Sequence, residues 1–155
     1  MESNRPEVVR TMRFPWQTRS PNEAAVRDEL RSRLSAEQFR VTQKSGTERP
    51  FSGIYHDEKG AGTYRCVVCE AELFGSDSKY DSGTGWPSFT AAVDDESVSR
   101  HTDRKFGIRR TEARCASCAA HLGHIFPDGP GKGGERFCMN SASLRLDRTA
   151  GHGTT

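Results

Sequence analysis

Two Cys-x-x-Cys pairs, Cys66/Cys69 and Cys115/Cys118, stand 45 residues apart and limit what this chain can fold into more than any other feature. Pairs at that spacing supply the four thiolates of a closed tetrahedral metal site, with zinc the expected ion, one per chain. Such a site is a long-range staple, because it ties two distant segments together. With every ligand a thiolate, no coordination position stays open for water, so the zinc is expected to be structural. The alternatives are a redox dithiol or half of a disulfide framework. Thioredoxin-type dithiols open a helix in a βαβ unit, whereas each pair here is expected to end a strand and run into small or acidic residues, Glu70-Ala71-Glu72 and Ala119-Ala120. Hydrophobic residues make up only 33% of the chain. The metal is therefore expected to supply stability that a larger core would otherwise provide.

A fifth cysteine, Cys138, is left over. On a strand, alternate side chains share a face, so Arg136, Cys138 and Asn140 point one way and Phe137 and Met139 the other. That gives the sulfur a cation, which favours the thiolate, and an amide. A buried structural cysteine is the competing reading. Upstream, His121-Leu122-Gly123-His124 places imidazoles where both line one pocket if the segment curves at the glycine, and histidine moves protons near neutral pH. Exposed loop histidines or further metal ligands remain alternatives. In Gly83-Thr84-Gly85-Trp86-Pro87-Ser88-Phe89, glycines set a tight turn and Trp86 is either core or the wall of a surface site.

The remaining pattern is that of one α+β domain dominated by antiparallel strands. Ser20-Pro21-Asn22-Glu23 reads as a capped helix start, followed by Val26, Leu30 and Leu34 on one face. Ser35 and Gln38 repeat the capping box for a short second helix with Phe39 as anchor, ending by Gly46 or Pro50. Thr63–Val68, Ser97–Thr102, Gly107–Arg114, Glu135–Met139 and Ser143–Leu146 read as strands, and residues 127–134 as a loop. Residues 1–19 and 148–155 are expected to be flexible tails around a domain over 20–147. Net charge is +2, all of it from residues 1–33, where seven arginines face five acidic residues. A neutral remainder has no field suited to nucleic acid or an anionic membrane, so neither is an expected partner. No apolar run approaches the roughly 20 residues of a membrane span and no signal-peptide core is present. Glu2 and Glu7 argue against a transit peptide, and unpaired thiols require a reducing compartment, so the expected location is the cytoplasm.

Three longer stretches, Tyr80-Asp81-Ser82-Gly83-Thr84-Gly85-Trp86-Pro87-Ser88-Phe89, His121-Leu122-Gly123-His124-Ile125-Phe126-Pro127-Asp128-Gly129-Pro130 and Arg136-Phe137-Cys138-Met139-Asn140-Ser141-Ala142-Ser143-Leu144, resemble the signatures of the peptide-methionine (R)-S-oxide reductases, the MsrB family. The resemblance covers about residues 34 to 147, including both cysteine pairs. It implies a mainly β fold of two antiparallel sheets with short N-terminal helices, stapled by zinc. It also implies reduction of the R epimer of methionine sulfoxide in proteins, with thioredoxin or another thiol as reductant, as repair after oxidative damage. Carried over residue by residue, the resemblance makes Cys138 the nucleophile and places His121, His124 and Asn140 around the sulfoxide oxygen. Arg136 and Asp128 organise the site, and Trp86 receives the substrate methyl group beside Phe126. Attack on the sulfoxide sulfur leaves a sulfenic acid on Cys138.

Many relatives carry a cysteine between the two glycines before Trp-Pro, and it resolves that sulfenic acid as a disulfide. This chain has Thr84, which cannot. The rival from another class is a zinc-ribbon interaction module in which Cys138 is incidental. Residues next to the cysteines lack the basic and aromatic character of nucleic-acid knuckles, and a Cys-His peptidase reading lacks an oxyanion-hole motif.

Overall fold

The computed structural model describes residues 21–149, which fall into two compact units divided between Arg33 and Leu34. The first contributes helix α1 (Pro21–Arg33), with Glu23 in its first turn and Arg31 and Arg33 in its last, a distribution that complements the helix dipole. Arg33 pairs with Glu29 one turn back at 3.0 Å. The expected cap Ser20 and the expected tail over 1–19 lie outside the described residues. Of the expected apolar face, Leu30 and Leu34 are buried, but Val26 is 53% exposed and the helix stops one residue before Leu34. Two large apolar side chains in thirteen residues are too few for a continuous stripe.

The second unit opens with α2 (Ala36–Lys44), and its capping box forms as expected. Gln38 N–H donates to Ser35 Oγ at 3.0 Å and Ser35 N–H donates to Gln38 Oε1 at 2.8 Å, so both orphan donors are satisfied. Phe39, Val41 and Thr42 face inward, and the helix ends at a left-handed Ser45 just before Gly46.

Among the described residues nine strands follow: β1 (Thr63–Cys66), β2 (Glu72–Gly75), β3 (Lys79–Tyr80), β4 (Ser88–Phe89), β5 (Val98–Asp103), β6 (Arg110–Cys115), β7 (His121–Phe126), β8 (Arg136–Met139) and β9 (Leu144–Asp147). They form two antiparallel sheets, a smaller one in the order β2-β1-β9 and a larger one in the order β3-β4-β8-β7-β6-β5. The five expected strands correspond to β1, β5, β6, β8 and β9. β7 does not alternate in character because all but its last residue is buried, and β3 and β4 are two residues each. Residues 105–107 form a 3-10 turn with Phe106 left-handed, so β6 begins later than Gly107.

Aromatic rings fill the seam between the sheets. Tyr64 and Phe74 come from the smaller sheet and Phe89 and Phe137 from the larger. Phe74 stacks on Phe89 at 4.4 Å between centroids, while Tyr64–Phe89 and Phe74–Phe137 meet edge to face at 5.1 and 5.7 Å. Phe137 and Met139 are buried on this side, which turns Cys138 to the other face of β8 as strand period requires. At the chain's other end, Arg148 is clamped to Glu58 by two hydrogen bonds of 2.9 and 3.0 Å.

The four paired cysteines converge at the junction of the sheets. Cys66 ends β1 and Cys115 ends β6. The two knuckles repeat one backbone plan. Glu70 N–H donates to Cys66 O and Ala119 N–H to Cys115 O, both at 2.8 Å, while Cys66 N–H and Cys115 N–H donate to Ala71 O and Ala120 O, both at 2.9 Å. The residue after each second cysteine, Glu70 or Ala119, is left-handed at φ 71° or 67°. Non-glycine residues resist that conformation by about 1–2 kcal/mol, and the closed knuckles hold them in it.

Candidate active site

Two features of β7 build the site. Between β6 and β7 the register advances by one residue from Ala113 to Arg114 but by two from Gly123 to His121, which makes Leu122 the extra residue of a β-bulge. Side chains three apart on a regular strand face opposite ways. The bulge reverses this, and the His121 and His124 rings lie 5.6 Å apart. The segment expected to curve at Gly123 is thus a bulged strand. Gly123 itself is required by the neighbouring strand, since a Cβ there would collide with the Cys138 carbonyl oxygen and the Met139 Cα. Gly123→Ala is expected to cost about 1–3 kcal/mol by overpacking; an unchanged melting temperature in thermal denaturation would contradict this.

Ser88 on β4, Cys138 on β8, His124 on β7 and Glu112 on β6 are successive register partners. Directly opposite residues share a face with Cβ atoms about 4.5–5.5 Å apart. Cross-strand pairing therefore sets the thiol beside His124. Both open onto a cavity of about 260 Å³ whose wall also includes Thr84, Trp86, Phe126, Arg136 and Asn140.

Each wall residue is fixed by something behind it. Arg136 makes a bidentate pair with Asp128, at 2.9 and 3.2 Å, and its guanidinium lies over the Phe126 ring at 4.4 Å. Trp86 lines the cavity and donates its indole N–H to Glu48 O at 3.0 Å. Asn140 accepts from Glu48 N–H and donates to Leu122 O, both at 3.0 Å. The buried Glu48 carboxylate accepts Ser141 N–H at 2.8 Å and Ala142 N–H at 3.0 Å. Glu48 thus joins the turn after the thiol strand to the indole, and burial pushes its carboxyl above the usual range. Thr84 Oγ1 lies 2.8 Å from Ser82 Oγ, which in turn lies 2.7 Å from Ser88 Oγ.

Each histidine has its own carboxylate, engaged through a different ring nitrogen. His121 Nδ1 lies 2.7 Å from Glu112 Oε2, and His124 Nε2 lies 2.8 Å from Asp103 Oδ2. Burial holds the His121 imidazole below its ordinary value despite Glu112, its Nδ1 faces the Glu112 carboxylate, and its buried Nε2 has no hydrogen-bond partner among the described residues. The hydrogen bond to His124 holds the Asp103 carboxyl down at about 2.

Burial is also the largest influence on Cys138 and raises its thiol above the ordinary value, while Arg136 and a hydrogen bond from Thr84 pull it down without prevailing. The expected effect of Arg136 is right in sign but smaller than that of desolvation.

Six of the eight residues expected in catalysis and substrate binding, Cys138, His124, Asn140, Trp86, Arg136 and Phe126, thus share one cavity. His121 is buried beside His124, and Asp128, 64% exposed, reaches the site through Arg136. Sequence reading overlooked Glu48 as a brace, along with Asp103, Arg110 and Glu112. Nothing local marks their role in the site, since Glu112 and Asp103 meet histidines 9 and 21 residues away and Glu48 accepts from Ser141, 93 residues away.

The metal site meets a direct test of fit. Cys66 and Cys118 sulfurs are 3.6 Å apart, as are those of Cys69 and Cys115, and all four lie within 4.8 Å of one another. A tetrahedron with metal–sulfur bonds of about 2.3 Å has edges of about 3.8 Å. The donor set and spacing suit a four-coordinate thiophilic ion.

Residues 34–148 match the SelR domain family. The chain is 55% identical over 124 residues, 80% of its own length and 90% of the relative's, to the peptide methionine sulfoxide reductase MsrB of Synechococcus sp. (strain RCC307). It is 53% identical over 123 residues, 79% of its length and 88% of the relative's, to that of Hahella chejuensis (strain KCTC 2396).

Proposed function

The chain belongs to the MsrB family of peptide methionine sulfoxide reductases, and from that premise we propose that Cys138 reduces the R epimer of methionine sulfoxide through a sulfenic acid. The observation that carries this reading is the cavity in which Cys138, His124, Arg136 and Trp86 meet. The Cys138 thiolate attacks the sulfoxide sulfur while the oxygen takes up a proton from His124. The hydroxyl then passes from the substrate sulfur to the Cys138 sulfur as the newly formed sulfur–sulfur bond breaks, so that methionine leaves and Cys138 keeps the oxygen as sulfenic acid. Arg136 supports the thiolate and Asn140 borders the oxygen. Trp86 and Phe126 enclose the S-methyl group, an apolar contact that favours sulfur-methyl substrates and distinguishes the epimers. Resolved R and S sulfoxide peptides with dithiothreitol as reductant test the assignment: methionine should form from the R epimer alone, and equal rates on both would refute it.

Zinc is the ion we assign to Cys66, Cys69, Cys115 and Cys118, where it supplies a structural cross-link and, with four thiolates bound, no catalytic position. The reductant is thioredoxin or a small thiol and the role is repair of oxidised proteins. Free thiols suit the reducing cytoplasm, and no helix among the described residues is long and apolar enough to cross a membrane.

Thr84 decides how the cycle closes. It borders the cavity with Cys138, where a cysteine would condense with the sulfenic acid, and the other four thiols are committed to metal. An external thiol therefore attacks Cys138, releasing water and forming a mixed disulfide that a second thiol reduces. Intact mass after stoichiometric substrate, under non-reducing conditions, should show one added oxygen, or the thiol adduct when thiol is present, with zinc retained. Thr84→Cys should yield an internal disulfide instead. Loss of a hydrogen pair and of zinc from the wild type would mean that a knuckle cysteine resolves the intermediate.

A further inference from the structure

His124 lines the cavity with one ring nitrogen already committed: Nε2 lies 2.8 Å from Asp103 Oδ2. Asp103 is the last residue of β5, and it reaches across β6 to a histidine on β7. It is held there by its neighbours. Its register partner on β6 is Arg110, whose Nη2 lies 3.3 Å from the same Oδ2, while Lys105 N–H donates to Oδ1 at 3.0 Å. Arg110 also borders the cavity, so the carboxylate stands between a cation and the imidazole. Each of its oxygens accepts a hydrogen bond, and a carboxylate kept ionised can only accept.

We propose that Asp103 is a positioning residue for the reductase reaction: it holds the His124 Nε2–H and leaves Nδ1 as the nitrogen that meets the sulfoxide oxygen, so the proton given up there comes from Nδ1 of the imidazolium and the ring returns to its Nε2–H tautomer. This inference rests on the reading of His124 as proton donor. A rotatable imidazole on a strand has two tautomers and two ring flips, and only some of these combinations aim a usable nitrogen at the cavity. Asp103 removes the others. Glu112 does the reverse for His121, taking Nδ1 and leaving Nε2, so the two histidines turn unlike nitrogens toward their shared surroundings.

The first measurement is the imidazole nitrogen NMR spectrum of the zinc-loaded, ¹⁵N-labelled full chain near neutral pH, with His124 assigned by its absence in His124→Gln. A protonated Nε2 with a slowly exchanging downfield proton is expected. A bare Nε2 would overturn the proposal whatever the enzyme's activity. The second is Asp103→Ala, checked for zinc content and melting temperature. It should lose the protected Nε2 proton and slow single-turnover reduction of a saturating R-sulfoxide peptide about 10- to 100-fold, with KM changed less than about threefold. An unchanged rate, or a loss confined to KM, would refute a positioning role. If Asp103→Ala fails to fold, the wild-type spectrum still decides. If His124→Gln turns over at the wild-type rate while Nε2 is protonated and bonded, the proton-donor assignment fails and the tautomer assignment stands.

Discussion

Cys118→Ser, or removal of metal by a chelator, should unfold the second unit. The four sulfurs join the ends of β1 and β6, which belong to different sheets, and the knuckles hold Glu70 and Ala119 in left-handed conformations. Structural zinc in small folds is worth about 10 kcal/mol or more, comparable to the whole stability of an ordinary domain, about 5–15 kcal/mol. Circular dichroism and metal analysis read the outcome. A Cys118→Ser protein with full zinc and an unchanged melting temperature would refute the structural role.

Cys138→Ser should keep zinc and fold yet lose turnover by a factor on the order of 10⁴ or more, because a serine hydroxyl near neutral pH is un-ionised and cannot take the oxygen as a sulfenic acid. Wild-type turnover in this variant would place the nucleophile elsewhere. The wild-type thiol should also carry a pH signature. Burial raises it and Arg136 lowers it, with burial the larger influence, so the thiolate fraction grows with pH until it passes the raised value. Alkylation of Cys138 by iodoacetamide in the zinc-loaded protein should therefore keep accelerating above the range in which an ordinary thiol levels off, about pH 8.5. Arg136→Gln should move that rise to still higher pH. A plateau near neutrality in the wild type would mean that the cation outweighs desolvation.

Much of this chain's fold is legible in its sequence. The cysteine spacing picked out the four residues whose sulfurs the structure gathers within 4.8 Å of one another, because tetrahedral thiolate ligation needs little more than paired donors at a short, fixed separation. Strand period placed Cys138 opposite Phe137 and Met139, and the Ser35–Gln38 capping box marked the start of α2, since both are rules of neighbouring residues. β7 was not legible as a strand: buried on both faces, it has no alternation to read. Its bulge was equally silent, for a bulge exists only in the pairing of β7 with β6.

The amino-acid sequence by itself determined which groups the proposed chemistry draws on: a spare thiol, a pair of imidazoles, a cation beside the sulfur, and a threonine between the two glycines before Trp86. Only the tertiary structure decided how those groups are held. Glu112 and Asp103 each take one nitrogen of a different histidine, and Glu48 ties Trp86 to the turn after Cys138. Desolvation outweighs Arg136 at the thiol. The physical reason is range: periodicity and metal spacing act over a few residues, whereas cross-strand register and burial depend on parts of the chain that meet only when the sheets have formed.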